Sequence, residues 1–137
     1  MKLLWQNKSR QSLSHLKPIA QRYVEIVSNR FQLPHDEVSI TIVSSKAMQT
    51  MNQRFRGLNK PTDVLTFPGE DSYLGDIVIC YSVVVEKARE EAMSTEDYFR
   101  FTVVHGLLHA LGYDHQTPSE YDAMMTLQED IIQQGVL

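Results

Sequence analysis

The sequence predicts an α+β fold, a single domain over residues 1–137 in which a mixed four-stranded sheet is packed with about five helices. Three observations carry this prediction. Short stretches of period two alternate with longer stretches of helical period, capping residues and glycines fall between them, and no repeat, low-complexity tract or flexible linker divides the 137 residues. Several strands are joined through helices, which makes the sheet mixed and leaves its strand order open.

Taken in order, "LLWQ" reads as a short first strand, and Leu16, Ala20, Tyr23, Val24, Val27 and Phe31 keep helical spacing through to about Phe31, with Pro18 tolerated only in the first turn. "VSITIVS" alternates Val38, Ile40 and Ile42 against Ser39, Thr41 and Val43, the pattern of a strand with one polar face. Ser44 or Ser45 caps a second helix whose apolar stripe is Met48, Met51 and Phe55, and Gly57 suits the position beyond its last turn. "DVLTF" and "GDIVICY" read as two more strands. Ser82 begins a third helix to about Ala92, and "STED" caps a fourth from about Thr95 to Leu111, with Tyr98, Phe101, Val104, Leu108 and Leu111 on its apolar stripe. Gly112 stops it. "TPSE" is a capping box with Pro118 at the first helical position of a final helix, expected to bury Tyr121, Met124, Leu127 and Ile131.

Composition narrows the class. With 42% hydrophobic residues the chain can bury an ordinary core, and no apolar run approaches the roughly 20 residues that span a bilayer. The start, "MKLLWQNKSRQ", is too short in apolar residues for a signal peptide, so the expectation is a soluble, cytoplasmic protein without membrane contact. Cys80 is the only cysteine, which excludes an internal disulfide and reads as a small buried hydrophobe in a reducing compartment. The net charge of −4 hides a division: residues 1–60 hold ten Lys or Arg against three Asp or Glu, and residues 61–137 hold three against fourteen. Such asymmetry gives weak support for an anion-binding face, since solvated charge produces it equally well.

The chemistry concentrates in "HGLLHALGYDH", which packs three of the five histidines into residues 105–115. His105 and His109, four apart on a helix, lie roughly 40° apart around the axis and about 6 Å along it, so both rings can reach one ion. Gly112 permits a left-handed turn, after which His115 returns toward the same point. Three imidazoles leave a fourth tetrahedral position open, as in a catalytic rather than a structural zinc site. Zinc suits the ligands, although ligand type alone leaves nickel, copper and iron open. Asp114 is placed for a fourth ligand, an outer hydrogen bond or a turn carboxylate. In the zinc peptidases with an H-E-x-x-H run, the residue after the first histidine is the general base. Here that residue is Gly106, at a helix-propensity cost of about 1 kcal/mol relative to Ala. The pattern keeps the metal and drops the base, which argues against peptidase action. Gly106 is expected to clear space beside the metal for a substrate group.

These residues resemble the YbeY family of bacterial rRNA maturation factors, single-strand endoribonucleases with a zinc site. "HGLLHALGYDH" is similar to the family's H-G-x-L-H-x-x-G-Y-D-H, and "FRGLNKPTDVLTFP" at Phe55 to Pro68 resembles its second signature around an arginine, with Thr66 in place of the usual serine. The resemblance extends over nearly the whole chain. It implies that His105, His109 and His115 hold one zinc ion, with His109 and Arg56 among the catalytic residues. It implies ribosomal RNA as substrate, ribosome or ribosomal-subunit association, and a setting in rRNA maturation, including 16S rRNA 3′ end processing, and ribosome quality control.

Alone, Arg56 reads more readily as a solvated basic helix end than as a site; matched to the motif, its planar fork suits a phosphate held together with zinc. Zinc would make hydroxide available near neutral pH or polarise a phosphoryl oxygen while the 2′-hydroxyl attacks, and the sequence does not choose between these. Asp63 and Asp114 are candidate proton acceptors, with Asp63 also reading as a strand or turn cap. Phe55, Phe67 and Tyr73 adjoin the basic stretch and read as packing residues, not as base platforms. Three classes of function stay open: a metal-dependent ribonuclease, a metal-dependent hydrolase of peptides or another substrate, and a non-catalytic ribosome-associated factor with a structural metal. The first is favoured, because the glutamate is missing and one coordination position is open.

Overall fold

The computed structural model describes residues 1–136, and the predicted α+β architecture is what it shows. Strands β1 (Lys2–Asn7), β2 (Glu37–Val43), β3 (Val64–Pro68) and β4 (Tyr73–Cys80) form one sheet in the order β1-β2-β4-β3, with helices α1 (Lys17–Arg30), α2 (Ser45–Arg56), α3 (Tyr81–Glu90), α4 (Thr95–Ala110) and α5 (Pro118–Val136) around it. β1 and β4 run parallel to β2, and β3 pairs antiparallel with β4, so the sheet is mixed and β3 lies at its edge. Helices α2, α4 and α5 begin where their capping residues dictate. Ser44 accepts the Ala47 N–H at 3.1 Å, Ser94 accepts the Asp97 N–H at 3.1 Å, and Gly57 turns α2 off with φ +72.

The two faces of the sheet are covered unequally. Ile40, Ile42, Ile77 and Ile79 point to the face taken by α1, α4 and α5, where Tyr23, Phe99, Val103, Met124 and Ile131 complete a large core. On the other face Val78, Cys80 and Val43 meet Met48 and Val83 in a small cluster under α2 and α3. Cys80 is a buried free thiol, as expected. The pairing of β4 with β2 slips by one residue between Tyr73 and Asp76, at Gly75 with φ +147, and this bulge lets Leu74 and Ile77 share the large core despite their odd spacing. Among the described residues no helix is long and apolar enough to cross a membrane.

Three packing expectations change. Tyr121 is 50% exposed, because the first turn of α5 projects past the core and the helix buries Met124, Gln128 and Ile131, with Leu127 only half-buried. Phe55 is 58% exposed, since α2 sinks Met48 and Asn52 and its last turn overhangs the β3 edge. The stripe assigned to α4 is too narrow: Phe99, Val103 and Leu107 are also fully buried, while Phe101 and Leu111 are only partly so, because the helix is wedged between β3, β4, α1, α3 and α5.

Candidate functional site

α4 carries two of the three histidines and ends in a hydrogen-bonded reversal that delivers the third. Tyr113 N–H bonds the Leu108 carbonyl at 3.0 Å and Gly112 N–H bonds the His109 carbonyl at 3.0 Å, with Gly112 at φ +99, the paired bonds of a glycine-terminated helix. The chain then doubles back, and Asp114 fixes the turn by accepting the His115 N–H at 2.7 Å. One ligand atom from each of His105, His109 and His115 lies within 4.8 Å of the others. The Nε2 atoms of His105 and His109 are 3.0 Å apart. Asp114 is outside this trio; it holds the turn and lines the cleft beside the histidines.

The His105 ring is held from two sides. Its Nδ1 is 3.0 Å from Gln128 Oε1, an acceptor, so Nδ1 carries the proton and Nε2 presents its lone pair to the trio. Phe101 stacks on it at 5.8 Å and 13°. Gln128 is 1% exposed, on the buried face of α5 between Met124 and Ile131. It was not singled out in the sequence, although a polar residue between Met124 and Ile131 on a buried stripe demands a partner.

Burial, above all, holds the His105 imidazole below its ordinary value of 6.5, outweighing the Gln128 bond and the Asp63 carboxylate that favour the cation. His109 is lowered likewise, first by burial and then by the neighbouring His105 and His115. Neutral imidazoles are the form that binds a metal, and three converging ring nitrogens fit a metal ion.

The trio opens into a cleft of about 670 Å³ whose other walls are β3 and the end of α2, and Arg56 lines it together with Asp63. Arg56 is exposed and makes no ion pair among the described residues. Asp63 is tied down: Oδ1 accepts the Val64 N–H at 2.9 Å and the Thr62 hydroxyl at 3.3 Å, and Oδ2 accepts the Tyr98 hydroxyl at 3.0 Å. Burial and then the Asp63 charge push the Tyr98 phenol up, keeping it a donor. Asp63 therefore caps β3, as the sequence suggested, and forms a fixed negative wall of the cleft.

Gly106 does not clear space beside the histidines. It faces the sheet, where a Cβ would come within 2.7 Å of Ile77 Cγ2, and its carbonyl accepts the Thr66 hydroxyl at 3.4 Å. The glycine brings α4 down onto β4 and the β3 edge, which sets the height of both histidines above the cleft. No side chain beyond hydrogen fits between helix and strand at that point.

The chain is similar to known proteins over most of its length. The family model described as Endoribonuclease YbeY matches residues 4–135. Among curated relatives, the endoribonuclease YbeY of Francisella tularensis subsp. tularensis strain SCHU S4 is 35% identical over 121 residues, covering 81% of this chain and 72% of its own length. The counterpart from F. tularensis subsp. novicida strain U112 is 34% identical over 121 residues, covering 81% and 75%. The solution structure of TM1509 from Thermotoga maritima superposes with a TM-score of 0.71 at 30% identity, covering 98% of this chain and 89% of that one. With a matched model over nearly its full length and relatives above 30% identity, the chain belongs to the endoribonuclease YbeY family.

Proposed function

We propose that this chain is a single-strand-specific, zinc-dependent endoribonuclease, one catalytic domain over residues 1–137, acting in the cytoplasm on ribosomal RNA during maturation, including 16S rRNA 3′ end processing, and in ribosome quality control. Family membership supports the endoribonuclease and rRNA-processing part. The observation that carries the metal-dependent part is the convergence of Arg56 and the three imidazoles on one cleft.

His105, His109 and His115 would hold the ion, with Gln128 orienting His105 so that its Nε2 faces inward. A bound zinc would supply Lewis acidity at a phosphodiester. Arg56 grips a phosphate through two parallel N–H bonds and stabilises the negative charge that grows on it during cleavage. Its freedom from ion pairs among the described residues leaves that fork available. Asp63 repels a phosphate from the β3 wall and so steers it toward Arg56 and the histidines.

The test is a parallel assay of single-stranded RNA and a peptide library on intact protein, chelated protein and His109→Ala. RNA cleavage confined to the intact protein is expected. Peptide cleavage, or RNA cleavage that survives both treatments, overturns the reading.

A further inference from the structure

The catalytic cleft does not end at Arg56. Phe55 and Phe67 line it on one side and, on their other side, line a second depression of about 330 Å³ over the thinly covered face of the sheet, together with Lys8, Thr41 and Val78. Lys8 and Val43 belong in turn to a third depression, of about 320 Å³, that reaches Arg10 and the starts of α2 and α3 at Ser44, Ser45 and Ser82. The three adjoin one another through shared lining residues, Phe55 and Phe67 between the first two and Lys8 and Val43 between the last two. Phe55 stands at the first junction, 58% exposed, its ring meeting Phe67 edge-on at 5.0 Å, with the Arg54 guanidinium 5.8 Å from its centroid. The basic groups along these three depressions are Arg56, Lys8 and Arg10; the carboxylates are Asp63 and Asp114 in the cleft and, in the second depression, Asp76, engaged by the Tyr73 hydroxyl.

An exposed phenylalanine forgoes the free energy of burial, and here its ring is braced by a second aromatic and flanked by cations. That combination, a π-face beside a basic groove, is how proteins hold single strands without reading sequence. We propose that Phe55, braced by Phe67, is a base-stacking platform that receives a nucleotide flanking the scissile phosphate and directs the strand along the Lys8–Arg10 groove. This rests on the ribonuclease reading above and adds to it a substrate-positioning residue and an exit path. Stacking also gives a physical source for single-strand preference, because a base inside a duplex has both faces covered.

The experiment is steady-state cleavage of single-stranded RNAs of roughly 4 and roughly 12 nucleotides, spanning the usual range of single-strand site sizes, by the full chain and by Phe55→Leu, Phe55→Trp and Lys8→Glu. Phe55→Leu keeps apolar bulk and loses the π-face; it should raise KM for the long RNA roughly tenfold, the fold-change of one lost stacking contact. Phe55→Trp should restore KM, and Lys8→Glu should raise it for the long RNA and spare the short one. Equal KM values for Phe55→Leu and the parent on the long RNA would overturn the platform. A parent protein that cuts neither RNA instead removes the ribonuclease reading itself.

Discussion

The two walls of the cleft are built in opposite ways. The α4 wall is built on packing: the helix is buried on several sides, Gln128 orients His105 from α5, Phe101 stacks on the ring, and a hydrogen-bonded turn holds the backbone of the exposed His115. On the α2 wall Arg56 and Phe55 project from the last turn of a helix, exposed and without ion pairs among the described residues. Rigid packing suits a centre whose ligands must meet within tenths of an ångström. Free cationic and aromatic side chains suit a polymer that must enter, bind through phosphate and base, and leave. Substitutions should therefore behave differently on the two walls, costing fold and metal on one and substrate on the other.

The largest effect is expected at Gly106. Gly106→Glu forces a side chain into Ile77 and a carboxylate under the helix, a combination of overpacking and buried charge that should cost about 3 kcal/mol or more and cause gross destabilisation in thermal melting. A variant that melts like the parent would mean that helix and strand are not in contact there.

Next comes Arg56→Ala on the opposite wall, which should lower kcat roughly 10²–10³-fold, the usual cost of one lost donor to transition-state charge, with melting temperature and metal content unchanged. Arg56→Lys should recover only part of it, since an ammonium cannot make the paired bonds. Loss of metal or of fold in either variant would place Arg56 on the wrong wall.

Gln128→Leu should weaken metal affinity by roughly 10- to 100-fold, the range for removing an outer partner of a ligating histidine, while adding little to the unfolding free energy because Leu fills a buried apolar stripe. Competition with a chromogenic chelator reads this directly.

The smallest effect is on pH dependence. The fold favours neutral His105 and His109, so the unfolded chain takes up their protons first as pH falls. Their contribution to metal-free stability is full above the ordinary imidazole value of 6.5 and declines as pH drops through and below it. Denaturant midpoints of chelated protein between about pH 7 and pH 5 should fall, and the slope should flatten in His105→Asn. An unchanged slope would detach burial of the rings from the proton uptake.

How far the sequence led differs between the walls as well. The period-two runs at Val38–Val43 and the caps at Ser44, Ser94 and Gly112 are local signals, and the elements follow them closely. The histidine spacing and the glycine turn are equally local, so the trio could be read before any contact was known. Gly106 was misread because α4 is apolar almost all round, and nothing in such a helix tells which side meets a strand 29 residues earlier. Gln128 and the exposure of Phe55 were missed for the same reason: each depends on how α5 and α2 lie against distant elements, information absent from any window of sequence. Tyr121 shows the converse, an apolar-stripe residue left in solvent because its helix outruns the core.

The central claim is that three imidazoles hold an ion on which RNA cleavage depends. Elemental analysis of the purified chain, run on the same fractions as an RNase assay and repeated on His109→Ala, tests it most directly. The account predicts one zinc per chain in the parent, none in the variant, and cleavage that follows the metal through both. Cleavage at full rate in metal-free fractions, or a metal content indifferent to His109, would contradict it.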